Sequence, residues 1–393
     1  MINSILDNDL YKFTMQAAVL ELFPTATVEY EFINRGKQRF NQLFLSVLRG
    51  KISEMDGLYL RPAEKEWFKK TCPYFKTWYF DYLENYRFNP DEVDLSLTID
   101  NNLQLKVKGS WHRAILWEVP LLALISETYF EIVDTAWQNK VTLNEYEKLF
   151  CWKMGQLEAT NCHTSDFGTR RRRALAYQEI IVRAGLKFPK NFSGTSNVYL
   201  AMKYGFKPRG TMAHEWIMGN SVLEGLRNAN YYALQNWVKV YNADLGIALT
   251  DTYGLQAFLG NFNLRLAKLY DGVRHDSGDP FKFVDLIVAH YKGLGIDPMS
   301  KVALFSDALD VAKAMAIKLY CEGKIQASFG IGTNFTNDFT CVNSPALNMV
   351  IKMFSLNDIP VVKLGEDPRK ACGDKDAIRV AKWTFYNEPL DSK

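Results

Sequence analysis

The chain has 393 residues, 48% of them hydrophobic, enough for two domains or for one large α/β domain with additions. Its 47 basic and 44 acidic side chains leave a net charge of +3, so global charge gives no ground for a nucleic-acid or membrane partner. The six cysteines form no CxxC pair and no Cys/His metal spacing, no basic-then-apolar leader follows Met1, and no apolar run approaches the ~20 residues that span a bilayer; a cytoplasmic protein with reduced thiols is expected.

In chain order, Asp7 to Asp9 can cap a helix over Leu10 to Leu22, on which Tyr11 and Met15 share a face. Val28, Tyr30 and Phe32 alternate with Glu29, Glu31 and Ile33, as in a half-buried strand, which ends at Asn34-Arg35-Gly36. Residues 37–85 read as aromatic-rich helices. Residues 93–108 alternate around Asp100-Asn101-Asn102, a β-hairpin. Residues 1–125 are therefore expected to form an N-terminal α+β domain, which the C-terminal segment 365–393 can join. Residues 126–364 are expected to form an α/β barrel domain.

The barrel is inferred from βα units, short apolar runs separated by amphipathic helices. The runs lie near Arg209–Met212, Leu245–Leu249, Gly272–Arg274, Val302–Phe305, Ala327–Phe329 and Asn348–Met353. No GxGxxG or GxxxxGK[ST] loop follows any of them, which favours an irregular βα barrel over a dinucleotide-binding sheet.

Function in such a barrel gathers where strands end. After the first run come Gly210-Thr211 and then His214, at the start of a helix. The later ends carry Thr250-Asp251-Thr252-Tyr253, then Arg274-His275-Asp276-Ser277-Gly278-Asp279, then Ser306-Asp307, then Gly330-Ile331-Gly332-Thr333-Asn334. One polar turn is ordinary, but five at one rim are not. Two glycines and a hydroxyl in 330–334 suit a terminal phosphate, although a tight βα turn would look the same. In 274–279, Arg274 suits a planar carboxylate, while Asp276, Ser277 and Asp279 suit ribose hydroxyls or a magnesium that carries pyrophosphate. Asp166-Phe167-Gly168-Thr169 precedes Arg170–Arg173. That arginine run reads as a solvated helix face or an anion patch, with Arg170 best placed for a site and RNA binding only weakly supported. Phe167 can stack on a flat ring, and Gly194-Thr195-Ser196-Asn197 is one more candidate turn.

The ordered set Asp9-Leu-Tyr-Lys-Phe-Thr-Met15, Phe167-Gly-Thr-Arg170, Gly210-Thr-Met-Ala-His214-Glu-Trp, Arg274-His-Asp-Ser-Gly-Asp279, Ser306-Asp307 and Phe329-Gly-Ile-Gly-Thr-Asn334 resembles the bacterial-type nicotinate phosphoribosyltransferases over nearly the whole chain. The resemblance implies a two-domain, type II phosphoribosyltransferase-like enzyme related to quinolinate phosphoribosyltransferase. It implies synthesis of nicotinate mononucleotide and pyrophosphate from nicotinate and phosphoribosyl pyrophosphate, with ATP as co-substrate and Mg²⁺ as cofactor, as the first step of NAD salvage from nicotinate. Within it His214 matches a phosphorylated histidine and Asp251 the acid that pairs with it. Phe167 and Tyr11, the latter supplied by a neighbouring subunit of a homodimer, match the aromatics that sandwich the pyridine ring. Arg274 matches the residue near the nicotinate carboxylate. Arg170, Asp276, Asp307, Gly332 and Thr333 match positions that hold phosphoribosyl groups. Ser196 stands where the nicotinamide-using relatives carry an Asp, which favours an acid substrate over an amide. The family often has Gly where this chain has Ala308. The resemblance names no metal ligands and implies neither a nucleic-acid nor a membrane partner. A metal-dependent hydrolase or aldolase would need a His/carboxylate ligand cluster, and five scattered His without HxH or HExxH spacing argue against one.

Overall fold

The computed structural model describes residues 2–367 and 371–387. Among them, eleven strands fall into two sheets. Strands β1 (Thr27–Asn34), β2 (Val93–Leu97), β3 (Leu103–Ser110), β10 (Met349–Leu356) and β11 (Ile359–Pro360) form an antiparallel sheet in the order β11-β10-β1-β3-β2. Strands β4 (His163–Asp166), β5 (Phe192–Thr195), β6 (Ile247–Leu249), β7 (Gly272–His275), β8 (Val302–Phe305) and β9 (Gln326–Ile331) pair in parallel, in the order β5-β4-β9-β8-β7-β6.

Because β9 pairs with β4, that order follows the chain around a ring, with one gap between β5 and β6. The gap is spanned by residues 209–211. The Arg209 amide donates to the Thr195 carbonyl (2.9 Å) on one side, and Thr211 Oγ1 donates to the Ile247 carbonyl (3.1 Å) on the other. The irregular βα barrel expected from the runs is therefore present, but its expected stave at Arg209–Met212 is an extended segment without a strand ladder. It leads straight into the helix His214–Leu223.

Two runs differ from expectation. The polar tetrad of β4 is a barrel strand, since its side chains are satisfied internally: Thr164 Oγ1 donates to the Asn191 carbonyl, and Asp166 accepts from Thr195 Oγ1 and Gln178. The run at 348–353 is not a barrel stave. It pairs antiparallel with β1, in the register Tyr30↔Met353 and Phe32↔Ile351. Its burial alternates, with Met349, Ile351 and Met353 inside. That is the pattern of a sheet covered on one face, not of a parallel strand buried on both. The antiparallel sheet thus draws on both halves of the chain.

Asp9 is the N-cap residue of the helix Leu10–Leu22, as expected, but neither its side chain nor that of Asp7 makes a capping bond. Asp7 takes the Arg172 guanidinium in two bonds of 2.7 and 2.8 Å, and Asp9 accepts from Ser196 Oγ at 2.7 Å. Lys12, fully buried on this helix, is paired to Glu118 (2.5 Å) and to Glu215; Tyr30 Oη (2.7 Å) and Trp111 Nε1 (3.1 Å) donate to the same Glu215. Burial works against the Lys12 charge, but the two carboxylates outweigh it and raise its pKa. Phe23, Trp111, Trp216 and Trp237 pack in series beside this cluster, stacked, tilted and edge-on in turn. Glu215 and Trp216 directly follow His214, so the helix that presents His214 is anchored to the N-terminal part by a buried ion cluster and a column of indoles.

Candidate active site

His214 is the first residue of its helix, and its side chain is 18% exposed. Its Nε2 lies 2.8 Å from Asp251 Oδ1, at the end of β6, and 3.7 Å from Asp276 Oδ2, just past β7. The tautomer that suits the carboxylate carries its proton on Nε2 and leaves the lone pair on Nδ1 available. Asp251 is held in turn by Ser277 Oγ (2.6 Å) and by Lys363 Nζ (3.0 Å), and Lys363 Nζ is also 2.7 Å from His214 Nε2. Burial, then the Lys363 charge, push the His214 imidazole down to about 4 against the pull of Asp251, so at neutral pH it is an uncharged base. Burial alone would raise Asp251, but Lys363 and His214 hold it well below the usual carboxylate range. The arrangement is an uncharged imidazole with an orienting carboxylate.

Beside it opens a cavity of about 350 Å³. Arg170, Arg171 and Arg274 line it, together with Phe167, Asp276 and the 330–334 turn. The Phe167 ring lies flat over Gly330: a Cβ there would fall 2.2 Å from the ring, so only glycine admits it. Gly332 and Thr333 open a short helix in which the Phe335 and Thr336 amides donate to the Gly332 carbonyl, so that only the Thr333 and Asn334 amides at its start have no acceptor within the helix. Arg274 donates from Nε to Ser306 Oγ (2.8 Å), from Nη2 to Asp276 (3.2 Å) and from Nη1 to the Met212 carbonyl (3.4 Å). One N–H on each terminal nitrogen is left for a planar anion. Ser306 Oγ also reaches Asp276 at 2.6 Å. Burial would raise Asp276, but Arg274 and His214 hold it well below its usual range.

The four consecutive arginines part ways. They precede the helix Leu175–Gly185 instead of riding on it, because Thr169–Arg171 is a tight turn and Arg172 is extended. Arg170 contacts Glu118 (3.3 Å) and lines the cavity. Arg171 lines the cavity too and has no ion-pair partner among the described residues; burial, Arg170 and Arg35 push it down to about 10, as expected of a cation that awaits an anion. Arg172 is buried against Asp7 and Glu127. Arg173 is buried between Phe130 and Phe339, its guanidinium carbon 3.4 and 4.0 Å from the ring centres. With two of the four sealed inside, the run does not form one solvated basic face.

Other expected residues find different work. Ser277 positions Asp251, and its hydroxyl also accepts the Glu366 amide (3.0 Å). Asp279 is exposed and caps the helix Pro280–Gly293, its Oδ1 accepting from the Phe281 amide at 2.8 Å. The Ser196 hydroxyl is spent on buried Asp9. The Asp307 carbonyl accepts from Lys313 Nζ (2.9 Å), next to the cavity residues Ser306 and Ala308. Ala308 has φ +46°, the left-handed region, which explains a preference for glycine there. The Tyr11 hydroxyl lies 3.4 Å from Glu118, on the Arg170 side. Lys363 has no counterpart in the sequence reading: it lies on the strand-like return after β11, where no motif marks it.

His214, Asp251 and Asp276 offer one nitrogen and two carboxylates within 4.8 Å of one another. They do not fit a resident magnesium. That ion prefers oxygen donors, and the Lys363 ammonium already sits against two of the three groups. Among the described residues no helix is long and apolar enough to cross a membrane.

Comparison with known proteins agrees with this geometry. Residues 6–126 match the N-terminal domain model of the nicotinate phosphoribosyltransferase (NAPRTase) family, and residues 162–389 match its main model. The chain is 53% identical to a nicotinate phosphoribosyltransferase of Methanococcoides burtonii, with 100% of both chains covered, and 46% identical to one of Desulforapulum autotrophicum, with 96% and 97% covered. The crystal structure of nicotinate phosphoribosyltransferase from Porphyromonas gingivalis superposes with a TM-score of 0.94 at 38% identity, over 98% of this chain and 100% of that one. The Vibrio cholerae enzyme gives 0.92 at 33%, over 99% and 94%. A neutral histidine on a carboxylate, an arginine-lined cavity at one barrel rim and two family models that together span most of the sequence lead to one conclusion: the chain belongs to the nicotinate phosphoribosyltransferase family.

Proposed function

We propose that the protein joins nicotinate to phosphoribosyl pyrophosphate, releasing pyrophosphate and nicotinate mononucleotide, and that ATP drives the reaction through a phosphate carried on His214. The product would enter NAD salvage, in the cytoplasm. The observation that carries the reading is the uncharged His214 imidazole, oriented by Asp251 and set at the edge of a cavity lined by Arg170, Arg171 and Arg274.

Nicotinate would lie on Phe167, with its carboxylate toward the two remaining donors of Arg274; Tyr11 stands on the Arg170 side of the same region. The 5′-phosphate suits Gly332 and Thr333, and the diphosphate suits Arg170 and Arg171. As pyrophosphate leaves C1 of the ribose, positive charge grows on the sugar, and the Asp276 carboxylate on the cavity wall answers it. Positioning by these fixed groups supplies much of the rest of the acceleration. His214 Nδ1 would take the γ-phosphoryl group of ATP: an N–P bond forms and ADP leaves. Lys363, beside the imidazole, would neutralise part of the roughly two negative charges that this adds. Magnesium belongs in this scheme as the companion of the substrate phosphates, not as a resident ion. A homodimer with a shared active site, in which Tyr11 serves the neighbouring subunit, remains part of the proposal.

The test incubates the protein with nicotinate, phosphoribosyl pyrophosphate and Mg·ATP. The mononucleotide, ADP and an acid-labile phosphoprotein should appear together. Product formed from nicotinamide in preference to nicotinate would redirect the assignment, and mononucleotide without phosphoprotein would remove the role given to His214.

A further inference from the structure

The helix Leu143–Ala159 lies outside the barrel, with Tyr146, Phe150, Lys153, Met154 and Leu157 on its buried face. A lysine in that stripe is anomalous, since lysines are rarely buried unless paired. Its side chain is 5% exposed, and its Nζ donates to Asp338 Oδ2 (2.6 Å) and to the Asn334 carbonyl. Seven residues earlier, Tyr146 Oη donates to the Phe335 carbonyl (2.9 Å) and accepts from the Asp338 amide (2.9 Å). One helix face therefore holds the whole 334–338 turn from behind. The front of that turn, Thr333, Asn334, Asn337 and Asp338, is cavity wall.

Asp338 is the odd member of that wall. A carboxylate beside a phosphate site repels its ligand unless its charge is cancelled. Asp338 also accepts from Thr340 Oγ1 (2.7 Å), which orients it without neutralising it. Among the described residues Lys153 is its ion-pair partner. We infer that Lys153, from outside the barrel, is a positioning residue for the phosphoribosyl phosphate: it fixes the 332–338 turn and cancels the Asp338 charge, so that the cavity accepts an anion. The inference rests on the reading above that phosphoribosyl pyrophosphate occupies this cavity. Burial of Lys153 lowers its pKa and Asp338 opposes that, in line with a pair held together.

The experiment compares four full-length proteins, the wild type, Lys153→Met, Asp338→Asn and the double variant, with Lys153→Arg as the conservative control. Steady-state kinetics should show a KM for phosphoribosyl pyrophosphate raised about tenfold or more in Lys153→Met, with KM for nicotinate and kcat changed far less. Asp338→Asn in that background should recover most of the loss, and Lys153→Arg should stay within a few-fold of wild type. Asp338→Asn alone, which keeps the lysine and is the safeguard if Lys153→Met does not fold, should bind phosphoribosyl pyrophosphate at least as tightly as wild type. An unchanged KM in folded Lys153→Met, no recovery in the double variant, or weaker binding by Asp338→Asn would each overturn the inference. Calorimetric titration with inorganic phosphate separates this from the functional reading. If the wild type binds phosphate but makes no mononucleotide, that reading fails, and the same variants still decide the role of Lys153 through their phosphate affinities.

Discussion

Two buried lysine clusters stand back to back in this molecule, one peptide bond apart. In the first, Lys12 pairs with Glu118 and Glu215, both bonds are made inside the protein, and the lysine is fully sealed. In the second, Lys363 lies against Asp251 and His214, and the imidazole side chain stays 18% exposed. Each is built on a lysine, but the first has two carboxylates, with Arg170 also on Glu118, and the second one carboxylate and an uncharged imidazole. The first cluster satisfies every charge and serves the fold. The second includes a group that can change its bonding, because His214 uses Nε2 for its partners and leaves Nδ1 open. Chemistry sits where a buried network is one partner short of closure.

The comparison can be broken by experiment. The largest effect should come from His214→Ala, which should bring acid-labile phosphoprotein and ATP turnover to background while some transferase activity persists. Labelling with γ-phosphate in step with product in that variant would place the phosphate elsewhere. Lys12→Met strands two buried carboxylates and should cost about 3–5 kcal/mol of stability, seen as a lower denaturant midpoint, with little change in phosphorylation per folded molecule. An unaltered midpoint would show that the sealed cluster is not a structural one. Lys363→Met sharpens the contrast through pH. In the wild type His214 stays uncharged until the pH falls through about 4, so its phosphorylation should be insensitive to this group above pH 5. Without the Lys363 charge the imidazole gains protons more readily, and the acid limb should move up by about one pH unit or more. A stationary limb would mean that burial alone sets the imidazole. The smallest effect is expected of Ala308→Gly. Relief of ~1–2 kcal/mol of left-handed strain, partly offset by the freedom glycine gives the unfolded chain, should stabilise the protein by up to about 1 kcal/mol in thermal melts.

Much of the site was legible because barrel staves end in short local motifs: 210–214, 250–251, 274–276 and 330–333 each announce themselves as polar residues after an apolar run. Residues whose role depends on distant partners were not. Lys363 reaches His214 from the other end of the chain, and Ser277 and Asp279 have the side chains of a binding turn but spend them on Asp251 and on a helix cap. Apolar runs also misled where burial is achieved by other means. The polar strand β4 hides its hydroxyls in hydrogen bonds, and β10 is apolar on one face because it extends the antiparallel sheet beside β1, not because it lines the barrel.

The gap between β5 and β6 has a mechanical consequence. The segment that fills it is tied to its neighbours by separate contacts, Arg209 to Thr195 and Thr211 to Ile247, in place of a continuous ladder. It is also the segment that delivers the reactive imidazole. The staves that carry Asp251, Arg274 and Gly330 are held in register by backbone ladders, whereas the placement of His214 depends on side chains from elsewhere, Thr14 on the Thr211 carbonyl and Arg274 on the Met212 carbonyl among them.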